Sequence, residues 1–150
     1  MKDLIYTEEH TEENNTSVPA FGLEIYREHV LPNIFRKELS FIMYLSGKDL
    51  ARKFPCNNID EIISFFHEAG WGNLSTVKET KNELHLELNG HLVEKRLSSD
   101  NITFQLEAGF LAEQIQGQKQ MITEAYEQQK PRSKKVIFTV KWDRLDIISS

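Results

Sequence analysis

Five histidines, one cysteine and a handful of carboxylates are the side chains of this sequence that could do chemistry, so their spacing comes first. His10, His29, His67, His85 and His91 lack the i, i+4 spacing or cysteine partners of a zinc site. They read as surface or capping residues, and only His85 and His91 stand where a turn could bring them together. Glu68, Glu124 and Glu127 would act as paired acid and base only if folding brought two of them side by side. There is no G-x-S-x-G elbow, P-loop or dinucleotide fingerprint, because Gly70 and Gly72 follow a helix pattern instead of preceding one. The reading is therefore no enzyme, with no catalytic residue, no metal ligand and no cofactor assigned. Lys130, Arg132, Lys134 and Lys135 cluster in the loop of the last hairpin. They read as a solvated tip, or as a dock for the acidic N-terminus or an anionic head group. No aromatics interleave with them as a stacking platform, which argues against nucleic acid.

The element that must position everything else is Asn58 to Leu74, NIDEIISFFHEAGWGNL. Asn58 and Glu61 have the spacing of a reciprocal N-terminal cap. Ile59, Ile62, Ile63 and Phe66 form one helical stripe, and Gly70 and Gly72 supply left-handed turns that fold the chain back. Trp71, between them, is expected to wedge into the seam of helix and sheet.

Composition sets the outer bounds. The chain has 150 residues, 39% apolar and 27% charged, with 18 basic against 23 acidic side chains for a net charge of -5. That is an ordinary soluble globule, with no apolar run near the ~20 residues of a membrane span and little affinity for polyanions. The single Cys56 excludes an internal disulfide framework, and the N-terminus has no export or transit pattern, so a cytoplasmic protein is expected. Residues 1–17 carry Glu8, Glu9, Glu12 and Glu13 among polar residues and read as a mobile acidic tail, with 18–150 as a single domain.

Along that domain, Phe21 to Leu31 reads as a helix interrupted by Pro32, with Ile25, Tyr26 and Val30 as its apolar face. Arg36 to Phe54 reads as a longer helix ended by Pro55, with small Ser46, Gly47 and Ala51 allowing a close neighbour. Leu74–Thr80 and Glu83–Asn89 form a hairpin in which Leu84, Leu86 and Leu88 alternate with polar residues. His91 to Leu97 reads as an irregular edge strand. Asn101 to Gln116 reads as a helix apolar around much of its girth and stopped by Gly117, followed by strands Gln120–Gln128 and Lys134–Trp142. The order is helix, helix, then twice helix and hairpin. It gives an α+β fold: a four-stranded antiparallel sheet with helices packed on one face.

GWGNL at Gly70–Leu74 and LEAGFLAEQI at Leu106–Ile115, in this order of elements, resemble the four-vinyl reductase-type small-molecule-binding domains. They resemble more closely the YslB-like family of uncharacterised bacterial proteins, and the likeness covers Phe21 to Asp143. Related folds include subunits of the eukaryotic transport-particle tethering complex and haem-based nitric-oxide sensors. The resemblance implies a non-enzymatic domain that holds an apolar ligand or a partner against its sheet. This chain lacks the cysteines that four-vinyl reductase-type domains often carry in the last helix and hairpin, since Ile102 to Trp142 contains none. It also lacks the Tyr-x-Ser-x-Arg signature of the haem sensors, so metal, redox and haem chemistry are not expected.

Two functions follow as expectations. The first is a small apolar ligand, lipid or hydrocarbon-like, held by a sensor or carrier in a pocket lined by Phe66, Trp71, Phe104 and Phe110; an aromatic-rich core without a cavity is the competing reading of the same residues. The second is a protein-interaction or assembly subunit, homodimeric through Leu145, Ile147 and Ile148, without a small-molecule ligand. In the tethering-complex subunits a cysteine placed like Cys56 is fatty-acylated. Cys56, Ile59 and Glu61 match that local pattern, and a helix N-terminus would favour the thiolate. A buried, inert thiol is the alternative.

Overall fold

Pro32 has no amide proton and its ring crowds the carbonyl four residues back, so an unmodified α-helix cannot pass through it. The chain passes by widening. In this computed structural model, which describes residues 16–147, α1 (Ala20–Glu24) runs into a π-helical stretch (Ile25–Val30) and on into α2 (Leu31–Phe35). The Leu31 amide donates to the Tyr26 carbonyl five residues back, which is the π-helical spacing. The helix expected to stop at Leu31 therefore continues to Phe35, and Arg36, at φ 50°, turns the chain. All but the last two residues of the expected acidic tail lie outside the described residues.

A 3-10 turn (Arg36–Glu38) leads into α3 (Leu39–Lys53), ended at Phe54 by the proline that follows. α4 (Ile59–Glu68) is capped at Asn58, whose Oδ1 accepts the Glu61 amide at 3.0 Å while Glu61 Oε1 accepts the Asn57 amide at 3.0 Å. At its other end the Gly70 amide donates to His67 O (3.1 Å) and Trp71 N to Phe66 O (2.9 Å), with Gly70 at φ 72°. This paired closure satisfies helix carbonyls that would otherwise have no donor.

β1 (Asn73–Glu79) and β2 (Glu83–Asn89) form the expected hairpin. The next segment is a correction: His91–Leu97 is not an edge strand but helix α5, because Gly90 at φ 133° turns the chain and Val93 and Leu97, four apart, bury one helical side. α6 (Gln105–Lys119) also departs from expectation, running through Gly117. Its stop is Gln120, left-handed at φ 58°, whose side chain donates back to Gly117 O at 2.7 Å. β3 (Met121–Lys130), a 3-10 turn (Pro131–Ser133) and β4 (Lys135–Ile147) complete the described residues, with β4 ending five residues past the expected Trp142. Leu145 and Ile147 thus belong to the strand, while Ile148 lies outside the described residues.

The sheet is antiparallel in the order β1-β2-β4-β3. Leu84 sits opposite Val140, Leu86 opposite Phe138 and Leu88 opposite Val136, all buried against the helices. The other face is polar, with Lys141 and His85 on Glu83 and Lys135 on Glu87. Along the β1 edge the pairing slips between Thr76 and Lys78, a bulge that leaves Val77 exposed. α3 and α6 cross at backbone contact through Gly47 and Gly109.

Candidate functional site

The first helical segment, Ala20 to Phe35, contains no buried residue. Its half-covered positions are 24, 27, 28, 31, 32 and 35, spaced three and four apart as one stripe facing the body. In the first part of that stripe the inward residues are Glu24, Arg27 and Glu28. These are all the formally charged residues of the segment, and the outward side carries Phe21, Ile25, Tyr26, Val30 and Ile34. The usual polarity of a surface helix is reversed. Phe41 and Leu45, four apart on α3, add further exposed apolar surface, with Phe21, Tyr26, Ile34 and Phe41 each more than 60% exposed.

The inward charges meet a carboxylate in the core. Glu107 has no exposed surface and is gripped by both terminal nitrogens of Arg27, at 2.8 and 3.0 Å, in the two-pronged geometry that matches guanidinium to carboxylate. Arg96 Nη1 donates to the same carboxylate at 3.2 Å, its Nε to Glu28 at 2.5 Å and its Nη2 to Thr103 O at 2.6 Å, while its guanidinium lies 4.0 Å from the Phe104 ring. Lys95 pairs with Glu24 at 3.7 Å. Burial by itself would raise the Glu107 pKa. Arg27 and Arg96 overcome it and hold the carboxyl below its ordinary value, and burial of Arg27 is likewise outweighed by Glu107, which keeps the guanidinium charged. Behind this cluster lies a cavity of about 30 Å3, lined by Ala20, Leu23, Trp71 and Leu92 with Arg27 and Arg96.

Three of the four expected pocket residues share one place. Phe66, Trp71 and Phe110 form one ring cluster with Phe65, stacked between Phe65 and Phe110 and edge-to-face elsewhere, at centroid distances of 4.5 to 5.9 Å, filling the seam between helix and sheet. Phe66, Phe104 and Phe110 have no accessible surface, so no water-sized void touches them. Phe104 stands apart at the start of α6, under Arg96. Trp71 alone reaches a cavity, the small one behind the ion cluster.

Cys56 is buried. Its amide donates to Gln114 Oε1 at 2.9 Å and its Sγ faces Phe54 O at 3.7 Å. Burial, helped by the charge of Glu61, pushes the thiol up to about 12, overriding the helix-terminus effect expected to favour the thiolate. The adjacent cleft, about 410 Å3, is open and partly polar, lined by Ala51, Arg52, Pro55, Glu113, Gln114 and Gln118. It is not an apolar channel.

The carboxylates do not pair. Glu127 caps α6, accepting the Phe104 amide at 3.0 Å and Gln105 Nε2 at 2.8 Å, whereas Glu124 lies on the opposite face of β3 and accepts the Tyr126 hydroxyl at 2.6 Å. Glu68 is exposed at the end of α4. His85 bonds Glu83 at 2.8 Å, His29, His67 and His91 are exposed, and His10 lies outside the described residues. Among the described residues no three His, Cys, Asp or Glu are grouped to hold a metal, and no helix is long and apolar enough to cross a membrane. In the basic loop Lys134 reaches Glu94 and Lys135 reaches Glu87. The Arg27–Glu107–Arg96 cluster was missed in the sequence. Its signal was Glu107, a carboxylate standing among Phe104, Ala108 and Leu111 on the apolar side of α6.

The fold is that of the vinyl-4-reductase proteins. It is similar to the structure of a vinyl-4-reductase family protein from Methanocaldococcus jannaschii, with a TM-score of 0.65 and 18% identity, over 90% of this chain and 89% of that one. Residues 20–141 match the family described as Protein of unknown function (DUF2507), and the chain belongs to that family. It is 49% identical over 128 residues to the uncharacterised protein YslB of Bacillus subtilis (strain 168), covering 85% of this chain and 86% of that protein. A trafficking protein particle complex subunit 3 from Naegleria fowleri, covalently bound to palmitic acid, aligns at 9% identity over 95% of this chain and 92% of that one, with a TM-score of 0.39. So low a score bears on neither ligand nor partner here.

Proposed function

We propose that this chain is a non-catalytic cytoplasmic interaction module that binds a protein partner through the outward face of its first helices. The observation that carries the reading is the reversed polarity of residues 20–30, where charged side chains hold the segment to the body and apolar side chains are left in water. An apolar face of this kind exceeds what scattered surface residues present and marks an interaction site. A reducing compartment suits the free, buried Cys56. Photo-crosslinking in the native host tests the reading, with a benzoylphenylalanine at position 26 on the outward face and at position 85 on the polar face of the sheet. Protein adducts at 26 and not at 85 are expected; equal or absent protein adducts at the two positions would overturn it.

A second reading keeps a small apolar ligand, favoured by the cavity that Trp71, Leu23 and Leu92 line beneath the segment. At about 30 Å3 it would have to open by releasing the Arg27–Glu107 pair. Native mass spectrometry of protein purified from its own host, showing a co-purified lipid or none, separates the two.

A further inference from the structure

We infer that the partner is a second copy of this chain, docked about a two-fold axis with the two Ala20–Phe35 segments antiparallel. This rests on the interaction reading above and names the occupant of that face.

Four exposed apolar positions of the segment are placed as a palindrome, while Leu23 falls opposite Pro32 in the same register. Phe21, Ile25, Val30 and Ile34 lie symmetrically about the point between Arg27 and Glu28, so an antiparallel copy sets Phe21 against Ile34 and Ile25 against Val30, twice over. An isologous interface demands this self-complementarity, and a face shaped for a different protein does not. Next to the axis the same register brings Tyr26 against His29, an aromatic hydroxyl beside an imidazole, both exposed. The face also avoids self-repulsion. Glu24, Arg27 and Glu28 all turn inward to Lys95, Glu107 and Arg96, so no formal charge meets its own copy across the axis.

The area is also sufficient. Each ring at this exposure shows ~120 Å2, and with Ile25, Val30, Ile34 and Leu45 the face offers roughly 700 Å2, close to the ~800 Å2 per partner of a stable interface.

Sedimentation equilibrium of the full chain at micromolar concentration is expected to give twice the 17.5 kDa chain mass. Tyr26→Glu or Val30→Glu, both at exposed positions, would weaken association by about a hundredfold or more, because the introduced carboxylate is buried without a partner. The register is read in a Cys56→Ser background. A mixture of Phe21→Cys and Ile34→Cys chains would form a disulfide-linked dimer under mild oxidation, and Phe21→Cys alone would not. Deleting residues 145–150 is expected to leave the dimer intact. A monomer up to ~100 µM, a dimer unaffected by Tyr26→Glu, loss of the dimer on that deletion, or a self-linked Phe21→Cys dimer would overturn the inference. A monomer whose position 26 still captures another protein in cells would sink self-pairing and leave the interaction reading standing. A monomer that floats with phosphatidylcholine–phosphatidylglycerol vesicles, with no protein adduct at 26, would remove both.

Discussion

Gly47 and Gly109 face each other across the crossing of α3 and α6. A Cβ on Gly47 would overlap the Leu106 carbonyl oxygen and stand 2.7 Å from Phe110 N, and a Cβ on Gly109 would overlap the Tyr44 carbonyl oxygen. The sequence carried half of this, in the small-residue run of Ser46, Gly47 and Ala51, but not the residue that answers it 62 positions later. The reciprocal contact sets how closely the two longest helices approach.

Alanine at either glycine is therefore expected to destabilise the fold by about 1–3 kcal/mol, the strain of overpacking outweighing the ~1 kcal/mol that Ala gains over Gly in a helix. Gly117→Ala, also in α6 but with open space around its Cβ, should stabilise by about 0.5–1 kcal/mol. Urea unfolding of the three variants checks the contrast. Equal effects at Gly47, Gly109 and Gly117 would contradict it.

Glu107→Gln should destabilise by about 3–5 kcal/mol, because Arg27 is then left buried without its carboxylate and Arg96 keeps only that of Glu28. The pH dependence has a definite sign. A carboxyl held below its unfolded value near ~4.3 contributes stability that is fully present above that pH and is lost as pH falls through the folded value. The gap between wild type and Glu107→Gln in urea midpoint should thus be constant from pH 6 to 8 and narrow below about pH 4.

Cys56 should resist thiol reagents in the folded protein. With its thiol pushed up to about 12, the thiolate fraction at pH 8 is about a thousandfold below that of an ordinary cysteine. Labelling with Ellman's reagent should be negligible in buffer and stoichiometric in denaturant. Rapid labelling under native conditions, or a hydroxylamine-sensitive mass increment on protein from the native host, would return Cys56 to the acylation reading.

Glu127→Ala should cost about 1–2 kcal/mol by removing the carboxylate that receives the Phe104 amide and the Gln105 side chain at the start of α6. Hydrogen exchange read by mass spectrometry should quicken at residues 104–107 and stay unchanged in α4. Uniform loosening of both helices would argue against a local cap.

Local chemistry was legible in the sequence wherever one short stretch decides the outcome. The Asn58–Glu61 cap, the closure at Gly70 and the Leu84, Leu86 and Leu88 alternation are each set by neighbours within a few residues. His91–Leu97 was misread because seven residues are too few to separate helix from strand, and Gly90 makes the decision. Gln120 displaced Gly117 as the helix stop because a side chain bonding back to the last turn can hold a left-handed conformation without glycine. The Arg27–Glu107 pair spans 80 positions, and nothing in either local pattern announces the other. Ile25, Tyr26 and Val30 were recognised as an apolar face. Periodicity says that a face exists, not which way it points, and here the ion cluster turns it outward.

The bulge at Val77 bears on how this chain behaves at high concentration. β1 and β3 are the margins of the sheet, where another strand could extend it; on β3 the Thr123 and Ala125 amides are already taken by Gln116 Oε1 (3.1 Å) and the Tyr44 hydroxyl (3.1 Å). At the β1 margin the slip between Thr76 and Lys78 breaks the even ladder, and the charged pair Lys78 and Glu79 follows directly. Along β3, Glu124, Glu127 and Lys130 do the same service. A chain with Val77 deleted would present a straighter β1 and is expected to form fibrillar, thioflavin-positive aggregates on storage, where the parent stays clear.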